Sequence, residues 1–303
     1  MSFSDYLQNR KSAFETITQS LNKDVNQESR NDDNLWKPTM GKDGTGYAVV
    51  RFLPGKDVSK APYVRIYDHG FQGPSGKWYI EKSLTTIGGK DPVSEFNSKL
   101  WNNGTEAGKE QARKQKRRTN YYANVLVIKD PANPSNEGKV MIYRFGQKIF
   151  DKLMTALQPE FADEDAVNPF DLIEGANFRI KLKTVAGYWN YDSSDFEKSS
   201  PLSEDEEKLE AIFNAQHDIH SLIAEDQFKP YEELQTRLTE VLELDSSPSA
   251  SMTPPAQGQE RVIPTAETST TDVELKDVFK ESSTNSSTDD DDLEDYFKSL
   301  AAD

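Results

Sequence analysis

Residues 109–128 read Lys-Glu-Gln-Ala-Arg-Lys-Gln-Lys-Arg-Arg-Thr-Asn-Tyr-Tyr-Ala-Asn-Val-Leu-Val-Ile. The first ten of these residues carry six basic side chains against a single acid, Glu110. Two adjacent aromatic residues, Tyr121 and Tyr122, follow, and the β-branched apolar run after them predicts a strand. Cations beside aromatic rings on a strand are typical of surfaces for single-stranded nucleic acid, because the charges neutralise phosphates and the rings stack on bases.

The net charge of the whole chain has the opposite sign to this basic run. The 303 residues include 36 Lys and Arg against 52 Asp and Glu, a net charge of −16. Residues 245–303 contain 14 acidic and four basic residues, a net charge of −10, which leaves −6 for the other 244. We therefore treat residues 245–303 as a separate electrostatic segment.

Composition and motifs narrow the class of protein. The chain has no cysteine, which excludes disulfides and thiolate metal sites. Its first residues do not resemble a signal peptide, and it lacks an apolar run of about 18 residues, so we expect a cytoplasmic protein with no membrane association. We find no phosphate-binding loop, and we expect the pair His217 and His220 to lie on the surface. We therefore do not expect an enzyme.

The amino-terminal segment has a helical apolar pattern. Over residues 1–23, the apolar positions recur at spacings of three, four and seven, with Arg10 and Lys11 between them. Two interpretations stay open: an ordinary docking helix, or a basic amphipathic arm that binds a neighbouring molecule. Residues 24–34 are polar and predict a linker.

Residues 35–244 predict the folded core. Strands are predicted at Tyr47–Leu53, Tyr63–Tyr67, Lys77–Glu81, Tyr121–Lys129, Lys139–Phe145 and Asn177–Val185. Two of them, Tyr63–Tyr67 and Asn177–Val185, alternate apolar and polar residues. Helical patterns predict helices at 146–157, 204–223 and 230–242. Short strands interrupted by helices predict an α+β fold built on a small β-barrel, with a subdomain around residues 70–105.

Consecutive aromatic residues point to exposed rings. Side chains alternate between the two faces of a strand. If their segments are extended, one of Tyr121 and Tyr122, and one of Tyr188 and Trp189, should therefore face away from the core.

The acidic segment 245–303 predicts disorder, because Ser, Thr, Pro, Gln and acids cannot bury enough apolar surface to offset chain entropy. Near its end, Leu293, Tyr296, Phe297 and Leu300 are spaced three and four apart. This spacing indicates a short helix that folds on a partner protein. The alternative is an acidic tail that only increases solubility.

The chain resembles the single-stranded-DNA-binding (helix-destabilising) proteins of T-even-type tailed phages. The matching stretches keep their order over about residues 35–200, and they are Ala48–Pro54, His69–Phe71, Gly76–Glu81, Lys116–Pro131, Asn136–Lys139, Tyr143–Gly146 and Glu174–Phe178. The resemblance implies an OB-fold core, a helical arm for cooperative self-association, and an acidic tail. The tail would bind replication and recombination proteins and shield the empty DNA groove.

The resemblance also implies site residues. For self-association it implies Arg10, Lys11 and Ser12, in a partial match to the family's basic motif. Together with neighbouring cations and Trp101, it leads us to predict twelve DNA-contacting residues: Arg51, Trp101, Lys114, Lys116, Arg117, Arg118, Tyr121, Tyr122, Tyr143, Arg144, Tyr188 and Tyr191.

This sequence departs from the family pattern at the positions of a zinc site. Members of the best-known type have a site of one histidine and three cysteines, and the corresponding positions here are His69, Ser83, Asp91 and Ser94. We therefore expect no zinc and no other cofactor, and we expect packing by residues such as Phe96, Leu100 and Trp101 to hold residues 82–105.

The sequence thus predicts a non-enzymatic, cooperative single-stranded-DNA-binding protein for phage replication, recombination and repair. Two alternatives stay open. An RNA-binding regulatory protein would use the same groove, and a nucleic-acid-processing enzyme would show metal-dependent cleavage.

Overall fold

The structure is a computed structural model that describes residues 34–57, 59–161 and 165–244. Within these residues the fold is mixed α+β, with nine strands in one sheet and five α-helices. The predicted arm, the linker up to residue 33 and the acidic segment 245–303 lie outside the described residues. No helix in the described ranges has the length and apolar character needed to cross a membrane.

The strands are β1 (Leu35–Trp36), β2 (Thr45–Phe52), β3 (Tyr63–Gln72), β4 (Trp78–Lys82), β5 (Arg118–Lys129), β6 (Val140–Phe145), β7 (Phe178–Val185), β8 (Tyr188–Asn190) and β9 (Asp195–Phe196). Pairing runs in the order β1-β6-β5-β2-β7-β8, with β3 on β5, β4 on β3 and β9 on β7. Within the described residues, no pairing joins β8 back to β1.

The long strand β5 organises the sheet. Its first half pairs with β3, from Asp68 opposite Arg118 to Tyr63 opposite Ala123. Its second half pairs with β2 along the same edge, while β6 occupies the other edge. At the junction of β2 and β3, Leu53 N donates to the carbonyl oxygen of Asn124 at 3.0 Å. The basic run therefore joins the sheet at the first residues of β5, where β5 pairs with β3.

The main core lies on one face of β5. Tyr121, Ala123, Val125 and Val127 are buried there in alternation, together with rings such as Phe52. Phe52 contacts the rings of β6 and β7, for example Phe145 at 5.5 Å and Phe178 at 5.9 Å between centroids. Full burial of one such ring stabilises the fold by about 1.5–3 kcal/mol.

The helices are α1 (Pro92–Asn102), α2 (Glu106–Lys114), α3 (Gln147–Leu157), α4 (Glu206–Asn214) and α5 (Tyr231–Leu242). Helix α3 closes the main core with Ile149 and Leu153. Helix α5 builds a second core against β3, β4 and α1, where Leu238 packs with Phe71 and Tyr79. Phe96 packs on this second core, which confirms its predicted packing role.

The structure differs from the predicted helices in two places. The helix predicted over 204–223 ends at Asn214, and a 3₁₀ helix follows at Ile219–Ile223. The chain turns between them because Gln216 accepts a hydrogen bond from Gly55 N at 2.8 Å and His217 N donates to Asn124 Oδ1 at 2.9 Å. Helices α1 and α2 were not predicted, because both are largely polar.

Candidate nucleic-acid interface

The basic run spans three backbone conformations. Its first four cations lie on or just after α2, Gln115 caps that helix, and β5 begins at Arg118. Arg113 and Lys114 occupy the last helical turn, where positive charge interacts favourably with the helix dipole. The carbonyl of buried Gln115 accepts a hydrogen bond from Asn97 Nδ2 at 3.0 Å. The cations of the run therefore reach different partners.

Trp101 lies beside the helical part of the run. Lys109 Nζ lies 5.6 Å from the centroid of the Trp101 ring, and the Arg113 guanidinium carbon lies 5.4 Å from it. Such cation–ring contacts are attractive by about 0.5–1 kcal/mol at exposed sites. Lys114 is exposed and pairs with Glu110 at 2.7 Å, a surface ion pair that contributes little to stability.

Arg117 lies over an aromatic ring that the sequence did not single out, Tyr67 of β3. Its guanidinium carbon is 4.0 Å from the ring centroid, and its Nη1 donates to Thr85 Oγ1 at 2.8 Å. Arg65 lies over the same ring at 5.1 Å. The alternation of β3 carries the signal that was missed, since Tyr63, Arg65 and Tyr67 face away from buried Val64 and Ile66.

Arg118 belongs to the opposite face of the sheet. Its Nη2 lies 2.6 Å from Asp68 Oδ1, and Arg144 Nη2 lies 3.8 Å from the other oxygen of that carboxylate. Asn120 donates to the same carboxylate and accepts from Arg144 Nε at 3.0 Å. Because these side chains are mostly buried, the network holds β3, β5 and β6 together on this face.

Tyr122 shares that outer face. It packs on the small cluster of Val64, Ile66, Ile142 and Ile219. Burial raises the pKa of its hydroxyl. The prediction that Tyr121 and Tyr122 face opposite sides is confirmed, but the second ring is largely covered rather than open to solvent.

The structure places four predicted contact residues in the interior. Arg51 is 0 % exposed and donates to the carbonyl of Ser200, and burial lowers the pKa of its guanidinium. The rings of Tyr121, Tyr143 and Tyr191 lie in the main core. Tyr121 stacks on Phe150 of α3 with centroids 4.0 Å apart. These four side chains are therefore part of the interior of the protein and not of its solvent-facing surface.

The hairpin of β7 and β8 presents one aromatic ring to solvent. Its two-residue turn has positive φ at Ala186 and Gly187, as tight hairpin turns require. Tyr188 is 49 % exposed, whereas Trp189 packs against the main core. The predicted alternation of this pair is confirmed.

A buried polar cluster holds the basic run at Gln115, between α2 and β5. His69 Nδ1 lies 3.0 Å from the carbonyl oxygen of Gln115, and its Nε2 lies 3.1 Å from Asp91 Oδ1. Asp91 caps α1 by accepting from Ser94 N at 2.9 Å, and Ser83 also contacts its carboxylate. Burial opposes ionisation of Asp91, but hydrogen bonding and charge from His69, with the Ser94 amide and Ser83, lower its pKa to about 2.

The donor set of this cluster does not fit zinc. It offers one imidazole, one carboxylate and two hydroxyls, whereas structural zinc sites use four cysteine or histidine ligands. Both ring nitrogens of His69 already face oxygen atoms. In the described ranges, no group of three His, Cys, Asp or Glu side chains is arranged to hold a metal ion.

Comparison with known proteins identifies the family of this chain. Residues 44–242 match the family described as gp32 DNA binding protein like. The chain belongs to this family. It is 41 % identical over 222 residues to the single-stranded DNA-binding proteins of Enterobacteria phages T2 and T4, covering 71 % of this chain and 72 % of each relative. A single-stranded DNA-binding protein of Escherichia phage SV14 is 42 % identical over 73 residues, 23 % of this chain and 64 % of that protein.

Proposed function

We propose that this protein binds single-stranded DNA cooperatively, with little sequence preference, and serves the replication, recombination and repair of phage DNA. The observation that carries the proposal is Arg117 lying 4.0 Å over the Tyr67 ring, at the point where the basic run enters β5. Charge for phosphates and a ring for bases lie side by side there. The names of the T2 and T4 relatives support the binding of single-stranded DNA.

The proposed DNA surface is narrower than the predicted set of twelve residues. We place on it the exposed or half-buried members that lie outside both the Asp68 network and the cluster around Val64, namely Trp101, Lys114, Lys116, Arg117 and Tyr188. Arg118, Tyr122 and Arg144 stabilise the outer face of the sheet, and the buried Arg51, Tyr121, Tyr143 and Tyr191 support the surface from inside.

The remaining parts of the proposal rest on the resemblance and on sequence pattern. The nine-stranded sheet would be an elaborated OB-fold-like barrel. Residues 1–23, with Arg10, Lys11 and Ser12, would bind the next protomer on DNA, and residues 245–303 would recruit replication and recombination proteins while shielding the empty surface. Deleting residues 1–22 should abolish cooperativity and leave isolated-site affinity nearly unchanged. Collapse of isolated-site affinity would instead make the arm structural.

We further propose that the protein is not an enzyme and that the His69 cluster works without zinc. The donor set of His69, Asp91, Ser83 and Ser94 supports the second point. Treatment with a chelator should leave the thermal midpoint unchanged, and metal analysis of the purified protein should find no stoichiometric zinc. Stoichiometric zinc, or metal-dependent cleavage of DNA, would contradict these statements.

Titration of intrinsic Trp and Tyr fluorescence with oligo-dT at several salt concentrations tests the function itself. Affinity should fall steeply as salt increases, because phosphate contacts release counterions. The same titration with oligo-U tests the RNA alternative. Equal or tighter binding of oligo-U would favour that alternative, and absence of oligo-dT binding would overturn the proposal.

A further inference from the structure

We infer that Tyr67 is a base-stacking platform that the Arg65 side chain covers in the free protein. This inference rests on the proposed function and assigns it a specific ring. Tyr67 is half-buried on β3, where it lies opposite Thr119 of β5, one residue beyond the basic run.

The two guanidinium groups over this ring are held very differently. Arg117 lies 4.0 Å from the Tyr67 centroid and is also held by a 2.8 Å hydrogen bond to Thr85 Oγ1. Arg65 is exposed and lies 5.1 Å from the same centroid. Within the described residues, its side chain has no hydrogen bond or ion pair. Arg117 is therefore a fixed neighbour of the ring, and Arg65 is a movable one.

Rings at the edge of the main core lie on the same face of β3 and β5 as Tyr67. Arg65 lies opposite Tyr121 in the pairing of β3 with β5, and Tyr121 stacks on Phe150 of α3. Tyr63, two residues before Arg65, contacts the rings of both Tyr121 and Phe150, with centroids 6.0 and 5.2 Å away. Half-buried Tyr63 and Phe150 and buried Tyr121 therefore form a group of rings on the same face of β3 and β5 as Tyr67, at the edge of the main core.

Binding of single-stranded DNA would replace the contact between Arg65 and the Tyr67 ring by two contacts, one of a base with the ring and one of Arg65 with a phosphate. Stacking of a base on a ring is generally stronger than an exposed cation–ring contact. A base can therefore take the place of the Arg65 guanidinium, and the released guanidinium can pair with a phosphate. Arg117 stays in place at the same ring and neutralises a neighbouring phosphate.

The test compares oligo-dT with an abasic oligodeoxynucleotide of the same length, which has the same phosphates and no bases. Tyr67→Leu should weaken binding of oligo-dT about five-fold or more, with binding of the abasic strand unchanged. Tyr67→Phe should behave like the wild type, since it keeps the ring. An equal loss on both strands would assign Tyr67 a structural role, and no loss on oligo-dT would also overturn the inference.

Tyr47 supplies a matched control. It is 40 % exposed on the other face of the sheet and has a cation near its ring, Lys129 Nζ at 6.0 Å. Tyr47→Leu should leave both affinities at the wild-type values, and a loss equal to that of Tyr67→Leu would overturn the specific role of Tyr67. If the wild type itself fails to bind oligo-dT, the proposed function fails instead.

Arg65→Ala tests the covering role separately. The variant loses a phosphate partner for both oligonucleotides, but only oligo-dT has bases that can stack on the uncovered ring. The ratio of oligo-dT affinity to abasic-strand affinity should therefore rise. A ratio that stays the same or falls would show that Arg65 does not cover the platform.

Discussion

Arg117 and Arg118 are consecutive residues in one basic run, yet they lie in opposite environments. Arg117 lies over the Tyr67 ring and bonds to Thr85, beside exposed Arg65. Arg118 crosses to the other face of β5 and bonds to the mostly buried carboxylate of Asp68. Because side chains alternate along a strand, a run of like charges that enters a sheet divides into two sets. We place one set on the proposed DNA surface, and the other set stabilises the sheet.

The largest expected effect tests the structural set. Asp68→Ala removes the carboxylate that Arg118 and Arg144 share, and it leaves buried positive charge uncompensated. We expect the free energy of unfolding to fall by about 3 kcal/mol. Urea denaturation measures this change. The affinity of the folded variant for oligo-dT should stay close to that of the wild type.

Asp57→Ala is the matched control for Asp68→Ala. Asp57 is an exposed carboxylate that pairs with Lys60 at 3.6 Å, so its removal should leave the urea midpoint unchanged. If the two variants unfold at the same urea concentration, the network around Asp68 does not have the structural role assigned to it.

The second-largest effect tests the buried contact between Asp91 and His69, which holds the basic run at Gln115. The pKa of Asp91 in the folded protein, about 2, lies below its value in the unfolded chain, about 4. Its contribution to stability is therefore present above pH 4 and is lost as the pH falls toward 2. Asp91→Asn keeps an acceptor for the Ser94 amide and removes the titration. The loss of stability between pH 4 and pH 2 should become shallower by on the order of 2 kcal/mol.

Acid titration of unfolding, followed by circular dichroism, measures this difference. An Asp91→Asn profile that is parallel to the wild-type profile would show that the contact between His69 and Asp91 does not contribute to acid stability.

The sequence predicted the main strands well. Alternation in β7 marks its buried face directly, and the apolar runs in β2 and β5 mark residues that are buried on both faces of the sheet. The sequence did not predict the polar helices α1 and α2, which contribute few residues to a core. The burial of Arg51 also depends on a partner that no local pattern reveals, since Ser200 lies 149 residues away along the chain. Tyr67 was missed because the alternation of β3 shows which face the ring lies on, but only the fold brings Arg117 to that ring.

The smallest expected effect concerns the acidic segment. Deleting residues 284–303 should tighten binding of oligo-dT modestly at low salt, because a covalently attached polyanion no longer competes for the cations of the run. The difference should vanish at high salt, where exposed charges are screened. Isothermal titration at two salt concentrations measures both affinities. An unchanged affinity at low salt would contradict the shielding role.

The central claim is that neighbouring cations of one run divide between ligand binding and sheet stability, and the salt dependence of oligo-dT binding tests it most directly. Replacing both Lys116 and Arg117 by Ala should lower the slope of log affinity against log salt by about 0.7 for each lost phosphate contact. Arg118→Ala, compared under conditions where it is folded, should keep the wild-type slope and lose stability. If Arg118→Ala lowers the slope while the double variant keeps it, the assignment of the two faces is wrong.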